Sequence, residues 1–276
     1  MAHYSGRDPD ESTLADTLAV IRRLLQSLLI VYAIVVVCAH FYSNDVLFQP
    51  RYGSRAEVDG MRYIRQADGS SLAAIYLPNS AAKYTIWFFH GNAEALGDLE
   101  PFLRAMHSHG FAVFAFDYPG YGRSSGVPSE QAIYTATAIA SSYLRDTLRI
   151  PSGNIVAYGR SLGGGPAVEL AVREQLAGLV LQSAFTSVYR VMTHWPLLPF
   201  DKFENLRKLP RVSCPVLVMQ GKLDRVVPFD HGSALYEAVA GKRMSLWIDE
   251  AGHNNFVQVA GSRHWESLKQ FTEALP

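Results

Sequence analysis

The sequence predicts an α/β fold, built on a mostly parallel, twisted sheet with helices on both faces. After residue 50, short apolar runs rich in β-branched and aromatic residues alternate with helix-like segments. Several of these runs are apolar at every position, as buried parallel strands must be. The chain has 276 residues, 49% of them hydrophobic, which suits one large domain with a short appendage.

Composition narrows the possible functions. The 25 basic residues balance 25 acidic ones, so the formal net charge is zero. The basic footprint of a nucleic-acid-binding protein is therefore missing, and no nucleic-acid partner is expected. Cys38 and Cys214 form no CxxC pair, so neither a disulfide scaffold nor a zinc site is expected.

The amino-terminal segment predicts a membrane anchor. Residues 1–23 are polar, whereas the nineteen residues 24–42 contain no Asp, Glu, Lys or Arg. As a helix they would be about 28 Å long, close to the thickness of the hydrocarbon core. We expect an uncleaved single-pass anchor in residues 1–43 and one domain in residues 44–276. A cleaved signal peptide and lipidation at Cys38 are the alternatives.

Basic residues indicate the orientation of that anchor. Arg22 and Arg23 directly precede the apolar run, whereas Arg51 and Arg55 lie farther from its other end. The positive-inside rule then places the amino terminus inside and the body on the non-cytoplasmic side.

The elements of the body follow from its periodicity. An opening hairpin is expected, with strands at 61–66 and 72–77 separated by residues 67–70. Further strands are predicted at 84–89, 111–116, 154–158, 178–182, 216–220 and 244–249. Helices are predicted at about 94–108, 129–147, 163–174, 230–240 and 262–274.

Ser161 is the candidate nucleophile. It lies in a G-x-S-x-G pattern between Gly159 and Gly163, directly after one predicted strand and before one predicted helix. A serine on such a tight turn brings the flanking backbones too close for side chains, which explains both glycines. The positive end of the helix dipole would then point at Ser161.

A serine hydroxyl needs a base, and the base needs an acid to orient it. Asp224 and His253 follow the predicted strands 216–220 and 244–249, at the edge where catalytic groups of parallel sheets gather. Asp249 is the alternative acid. The backbone N–H groups of Leu162 and Asn92 are the expected oxyanion donors, because one should follow the nucleophile and one should come from the loop after strand 84–89.

Together, the motifs at 90–93, 117–124, 159–163, 221–228 and 252–254 resemble the α/β-hydrolase fold over nearly all of residues 55–276. Within it, the sequence is similar to the membrane-associated α/β-hydrolase-domain-containing proteins, whose better-known members remove palmitate from protein cysteines. It is also similar to bacterial serine aminopeptidase-like relatives. The resemblance implies a Ser161, Asp224 and His253 triad and no cofactor. Unlike the depalmitoylating members, the chain has no amino-terminal cluster of cysteines.

The substrate depends on a short lid segment, the 33 residues 183–215 between two predicted strands. Its apolar stretch 189–200 predicts a wall of an acyl groove or a lip that contacts the membrane; packing onto the sheet is the alternative. We expect an esterase or thioesterase for acyl substrates, lipids or lipidated proteins among them. A peptidase is less favoured because residues 184–210 show no acidic cluster for an amine, and a non-catalytic binding protein because no triad member is missing.

Overall fold

The computed structural model describes residues 9–66, 68–193 and 195–276. The chain forms two units, Met1–Leu47 and Phe48–Pro276. Residues 1–8 of the predicted polar segment and Ala67 of the predicted hairpin turn lie outside the described residues.

The first unit is the single helix α1, Pro9–Leu47. It is longer than the predicted 24–42 at both ends, and its length and apolar composition would allow it to cross a membrane. Its large apolar side chains are exposed; Leu28 and Leu29, for example, are 66% and 68% accessible. Side chains that are apolar on every face suit lipid better than water.

The second unit is built around one sheet, which has eight strands within the described residues, in the order β1-β2-β4-β3-β5-β6-β7-β8. The first two pairings, β1 with β2 and β2 with β4, are antiparallel, and all the others are parallel. The strands are β1 Met61–Arg65, β2 Ser71–Leu77, β3 Thr85–Phe89, β4 Ala112–Phe116, β5 Ile155–Arg160, β6 Gly178–Gln182, β7 Val216–Gly221 and β8 Arg243–Ile248. Each begins and ends within two residues of its prediction, and the opening hairpin is confirmed.

Within the described residues, six helices lie between parallel strands, and two follow the last strand. They are α2 Leu96–Ser108, α3 Glu130–Asp146, α4 Gly164–Arg173, α5 Val188–Met192, α6 Asn205–Lys208, α7 Phe229–Ala238, α8 Phe256–Ala260 and α9 Ser262–Glu273. The five predicted helices are present, whereas α5, α6 and α8 were not predicted. Each of these three has four or five residues, which is too short to produce a helical period in the sequence.

Alternate residues of the central strands fill two apolar layers, since side chains along a strand point to opposite faces. Phe88 and Tyr158 face one layer, which α2, α8 and α9 cover. Trp87 and Phe114 lie on the other face, where Phe114 approaches Tyr143 of α3. All four of these strand side chains are fully buried. Helices therefore cover both faces, as the predicted fold requires.

The parallel strands place their following loops at one edge of the sheet. The strands β3, β5, β7 and β8 all run in the same direction, so the loops after them open together. Every predicted site residue lies in one of these loops.

Candidate active site

Ser161 sits at a strained turn between β5 and α4. A single 3-10 turn, Ser161–Gly163, joins the two elements, and Ser161 has a φ of 52°. A Cβ atom on Gly159 would lie 2.7 Å from the carbonyl carbon of Gly163, and one on Gly163 would overlap the Phe89 carbonyl. The left-handed conformation and the two glycines thus hold the serine at the sheet edge, as the sequence predicts.

The structure brings Ser161, His253 and Asp224 into one chain of hydrogen bonds. Nε2 of His253 lies 3.1 Å from Oγ of Ser161, and Nδ1 lies 2.8 Å from Oδ2 of Asp224. The three come from the loops after β5, β8 and β7. This is the geometry in which an imidazole can accept a serine proton while a carboxylate stabilises the resulting positive charge.

The Asp224 carboxylate is fully buried and fully engaged. Oδ1 accepts the backbone N–H groups of Val226 and Val227 at 2.9 and 2.8 Å. Oδ2 accepts Nε2 of Gln220 at 3.0 Å as well as Nδ1 of His253. Three donors besides the imidazole hold the carboxylate in place and keep Oδ2 facing His253. Gln220 was not predicted, because an amide inside an apolar strand has no distinctive sequence signal.

Asp249, the alternative acid, lies elsewhere. Its side chain is 67% exposed and pairs with Nζ of Lys222 at 2.8 Å. A carboxylate in water at the end of a strand solvates the turn, so the geometry favours Asp224 as the partner of His253.

The loop after β3 lies against the nucleophile elbow, the turn Ser161–Gly163 between β5 and α4. The close approach of Gly163 to the carbonyls of Phe89 and His90 places Asn92 near the nucleophile turn. Oδ1 of Asn92 accepts the Tyr121 hydroxyl at 2.6 Å and the Gln49 backbone N–H at 3.0 Å. These bonds fix the side chain and thereby the peptide whose N–H is a candidate oxyanion donor. The other candidate, Leu162, is buried immediately after Ser161.

His90 braces that loop. Its Nδ1 lies 2.8 Å from the Gly91 carbonyl, its ring stacks on Tyr118, and the Tyr118 hydroxyl donates to its carbonyl oxygen. Complete burial lowers the pKa of His90 to about 4, so the ring is neutral at pH 7. A neutral histidine with both nitrogens directed at backbone groups suits a structural role.

The loop 117–124 is tied down by a buried carboxylate. Asp117 accepts the N–H groups of Leu96 at 2.8 Å and Arg123 at 3.2 Å, which connects this loop to the start of α2. Burial raises the pKa of Asp117 to about 6. Arg123 pairs with Glu57 at 3.7 Å, which gives it a structural role at the edge of this loop.

The lid segment, residues 183–215, borders an apolar cavity of about 730 Å³. Apolar lining residues from the lid include Tyr189, Trp195, Leu198, Phe200 and Leu206. Asp201 and Glu204 of the lid line it too, together with Asp230 of α7. Residues 184–210 contribute two of these carboxylates, and the third comes from outside that segment through tertiary contact. Asp201 accepts Ser187 Oγ at 2.6 Å, and Glu204 pairs with Arg207 at 3.0 Å.

A metal centre is not indicated within the described part of the chain, where no group of three or more His, Cys, Asp or Glu side chains could hold an ion.

Comparison with known proteins agrees with the fold. Residues 80–206 match the family described as "Serine aminopeptidase, S33". Among solved structures, the Pyrococcus furiosus esterase Pf2001 superposes with a TM-score of 0.66 at 19% identity, over 78% of this chain and 91% of that one. Mouse alpha/beta hydrolase domain-containing protein 10 superposes with a TM-score of 0.61 at 16% identity, over 77% and 98%. Likeness at these identities concerns the fold.

Two curated proteins are closer in sequence. Alpha/beta hydrolase domain-containing protein aho-3 of Caenorhabditis elegans is 42% identical over 203 residues, which cover 71% of this chain but 59% of that protein. Alpha/beta hydrolase domain-containing protein 17B of Homo sapiens is 38% identical over 215 residues, or 75% of this chain and 73% of the human protein. This chain therefore belongs to the family of α/β-hydrolase-domain-containing proteins.

Proposed function

We propose that this α/β hydrolase is a membrane-anchored serine hydrolase that cleaves carboxylic ester or thioester bonds of acyl substrates. The observation that carries the proposal is the hydrogen-bonded chain from Ser161 through His253 to the buried Asp224. Three donors that fix the acid and a strained turn under the nucleophile support a preorganised site.

The proposed reaction has two steps. His253 Nε2 takes the proton of Ser161 as Oγ attacks the acyl carbonyl, and the N–H groups of Leu162 and Asn92 stabilise the oxyanion. His253 then gives that proton to the departing alcohol or thiol, which leaves an acyl-serine ester. Water attacks this ester with His253 again as the base, and the acid and free Ser161 are released. Asp224 holds the imidazole tautomer and stabilises the positively charged imidazole that forms in each step.

The lid cavity supports an acyl group as the recognised part of the substrate. The lid begins directly after Gln182, the last residue of β6, which pairs in register with Arg160 beside the nucleophile. Met192, Trp195 and Leu197 are 89%, 75% and 59% exposed, so the rim of the cavity is apolar as well. An apolar cleft in the lid that follows β6 suits an acyl chain, although Ser161, Asp224 and His253 are not among the residues that line it.

Helix α1 supports the anchoring part of the proposal, since it is long and apolar enough to cross a membrane. Arg22 and Arg23, which directly precede the uncharged stretch 24–42 of this helix, favour an inside amino terminus and a body on the non-cytoplasmic side. Protease digestion of sealed vesicles that contain the full chain tests this orientation. A body digested only in vesicles whose non-cytoplasmic face is outward supports it, and the reverse result contradicts it.

A peptidase or amidase is the second candidate. The match to the serine aminopeptidase family favours it, as do Asp201, Glu204 and Asp230 at the cavity, which could attract an amine. Against it, these carboxylates already accept bonds inside the body, such as the 2.6 Å bond from Ser187 to Asp201. Ester and thioester substrates require less leaving-group activation than amides.

The discriminating experiment uses the full chain in detergent with three matched substrate sets: p-nitrophenyl esters, acyl thioesters and aminoacyl anilides, each in short and long forms. Ser161→Ala is the control. We expect ester and thioester turnover that depends on Ser161 and favours the longer acyl chains. Turnover of anilides above esters would establish the peptidase, and a folded protein inert toward all three sets would indicate a binding protein.

A further inference from the structure

The two candidate oxyanion donors come from segments that are distant in sequence. Leu162 follows β5 and Asn92 follows β3, yet both N–H groups must point at one oxygen. Removal of a single oxyanion donor lowers kcat by about 10²–10³-fold in known hydrolases, so small errors in their relative position are costly. The peptide between Gly91 and Asn92 is especially demanding, because glycine restricts the backbone least.

One carboxylate connects these two segments. Oε2 of Glu94 accepts the Gly91 N–H at 2.8 Å, and Oε1 of Glu94 forms an ion pair with the Arg160 guanidinium. Arg160 directly precedes Ser161, and Gly91 directly precedes Asn92. The side chains of Glu94 and Arg160 are 31% and 18% exposed.

The arginine end of this connection is itself fixed. The guanidinium lies 5.4 Å from the ring centroid of Phe88 in β3 and 5.6 Å from that of Phe102 in α2. Cation–π contact with two buried or half-buried rings limits where it can move. An isolated ion pair on the surface contributes little to stability. This pair is held at both ends, by Gly91 at the carboxylate and by the two rings at the guanidinium, so a shift of one segment moves the other.

From this geometry we infer that Glu94 and Arg160 are positioning residues that set the distance between the loop after β3 and the nucleophile turn. The inference rests on the proposed serine hydrolase function and adds to it. Neither side chain needs to touch the substrate. The pair acts through the Gly91 peptide and through the backbone of Arg160, and so aligns both oxyanion donors.

The test compares four variants of the full chain in detergent: Glu94→Ala, Glu94→Gln, Arg160→Met and the double variant Glu94→Ala with Arg160→Met. Glu100→Ala is the matched control, since Glu100 forms a more exposed ion pair with Arg104 at 2.7 Å, and both of these residues lie in α2. The readouts are kcat and KM for an ester, the inhibition constant of a boronic acid that forms a tetrahedral adduct, and the melting temperature. Sites are counted by burst titration.

We expect Glu94→Ala to lower kcat per active site by about ten- to a hundredfold, with KM changed less than about threefold. Boronate affinity should fall in the same proportion as kcat/KM, because both report stabilisation of the tetrahedral state. Glu94→Gln keeps an oxygen for Gly91 and should retain part of the activity. The double variant should be little worse than Glu94→Ala, because the two residues act as a unit.

A melting temperature that falls while kcat per active site and boronate affinity match Glu100→Ala would overturn the inference and leave a stability role. If Glu94→Ala does not fold, the Glu94→Gln and Arg160→Met variants decide by the same readouts. The proposed function fails separately: it is wrong if Ser161→Ala keeps full ester turnover, whatever the Glu94 variants do.

Discussion

Replacement of Asp224 by Asn keeps the size of the side chain, but its neighbours dictate how the new amide must turn. Two backbone N–H groups, those of Val226 and Val227, point at Oδ1 at 2.9 and 2.8 Å, so the amide oxygen must occupy that place. The NH₂ group then faces Nδ1 of His253, where the carboxylate oxygen lies at 2.8 Å. Nδ1 must become an acceptor and the ring proton must move to Nε2.

An imidazole with its proton on Nε2 cannot accept the proton of Ser161. The same tautomer change costs serine proteases about 10⁴-fold in kcat, and we expect a loss of that order here. Gln220 cannot turn its amide to relieve the mismatch with the new NH₂ group, since its Nε2 donates both to Oδ2 of Asp224 at 3.0 Å and to the Val227 carbonyl at 2.8 Å. Turning the Gln220 amide over would set two carbonyl oxygens against each other. The mismatch should also cost about 1–3 kcal/mol of unfolding free energy.

The assay is ester hydrolysis by the full chain in detergent, with active sites counted and the melting temperature recorded beside it. Asp249→Asn is the matched control, because Asp249 has an exposed side chain that pairs with Lys222. We expect this control to keep its activity within about twofold. Asp224→Asn with more than about a tenth of native kcat, or an equal loss in Asp249→Asn, would refute the assignment of the acid.

Three further predictions concern the elbow, the core and the lid. Gly163→Ala should lower the unfolding free energy by about 3 kcal/mol or more and abolish turnover, because its Cβ would overlap a backbone carbonyl. Denaturant titration measures this loss, and the control Gly153→Ala, where nothing lies within 4 Å of the added Cβ, should show almost no change. His264, whose two ring nitrogens have no partner among the described residues, has its pKa lowered to about 4 by burial and, less strongly, by His109 and Arg160. Below pH 6.5 the unfolded chain then binds more protons than the folded chain, so the free energy of unfolding decreases as the pH is lowered. His264→Phe should remove about 2 kcal/mol of the wild-type loss between pH 8 and pH 5, measured by parallel denaturant titrations. Trp195→Ala should lower kcat/KM for long-chain esters by about tenfold and leave acetate esters unchanged; equal losses for both would argue against an acyl-binding lid.

The strand positions, the turn at Ser161 and the proposed triad residues could be named from the sequence because each depends on local features of the chain. Buried parallel strands read as apolar runs, and the turn at Ser161 needs glycines at fixed offsets. The residues after β7 and β8 could be placed at one edge without knowing any distance. The sequence favoured Asp224 over Asp249 because Asp249 lies at the end of its predicted strand, only four residues before His253. In the structure the Asp224 carboxylate is buried and that of Asp249 is exposed.

The features that were not predicted depend on contacts between distant parts of the chain. Glu94 and Arg160 are 66 positions apart, and no spacing rule indicates that they meet. Gln220 looks like an ordinary strand residue until the fold brings Asp224 against it. Asp230 joins the lid carboxylates in the same way. Helix α1 exceeds its prediction because a polar segment can continue a helix without an apolar signal.

The proposed function depends above all on Ser161 being an activated nucleophile. The most direct test is to treat the full chain in detergent with a fluorophosphonate, measure the intact mass, and locate the adduct by peptide mapping. We expect one adduct per chain, on Ser161, that is absent in Ser161→Ala and forms far more slowly in His253→Ala. An adduct on another residue, or labelling of folded His253→Ala at the native rate, would contradict it.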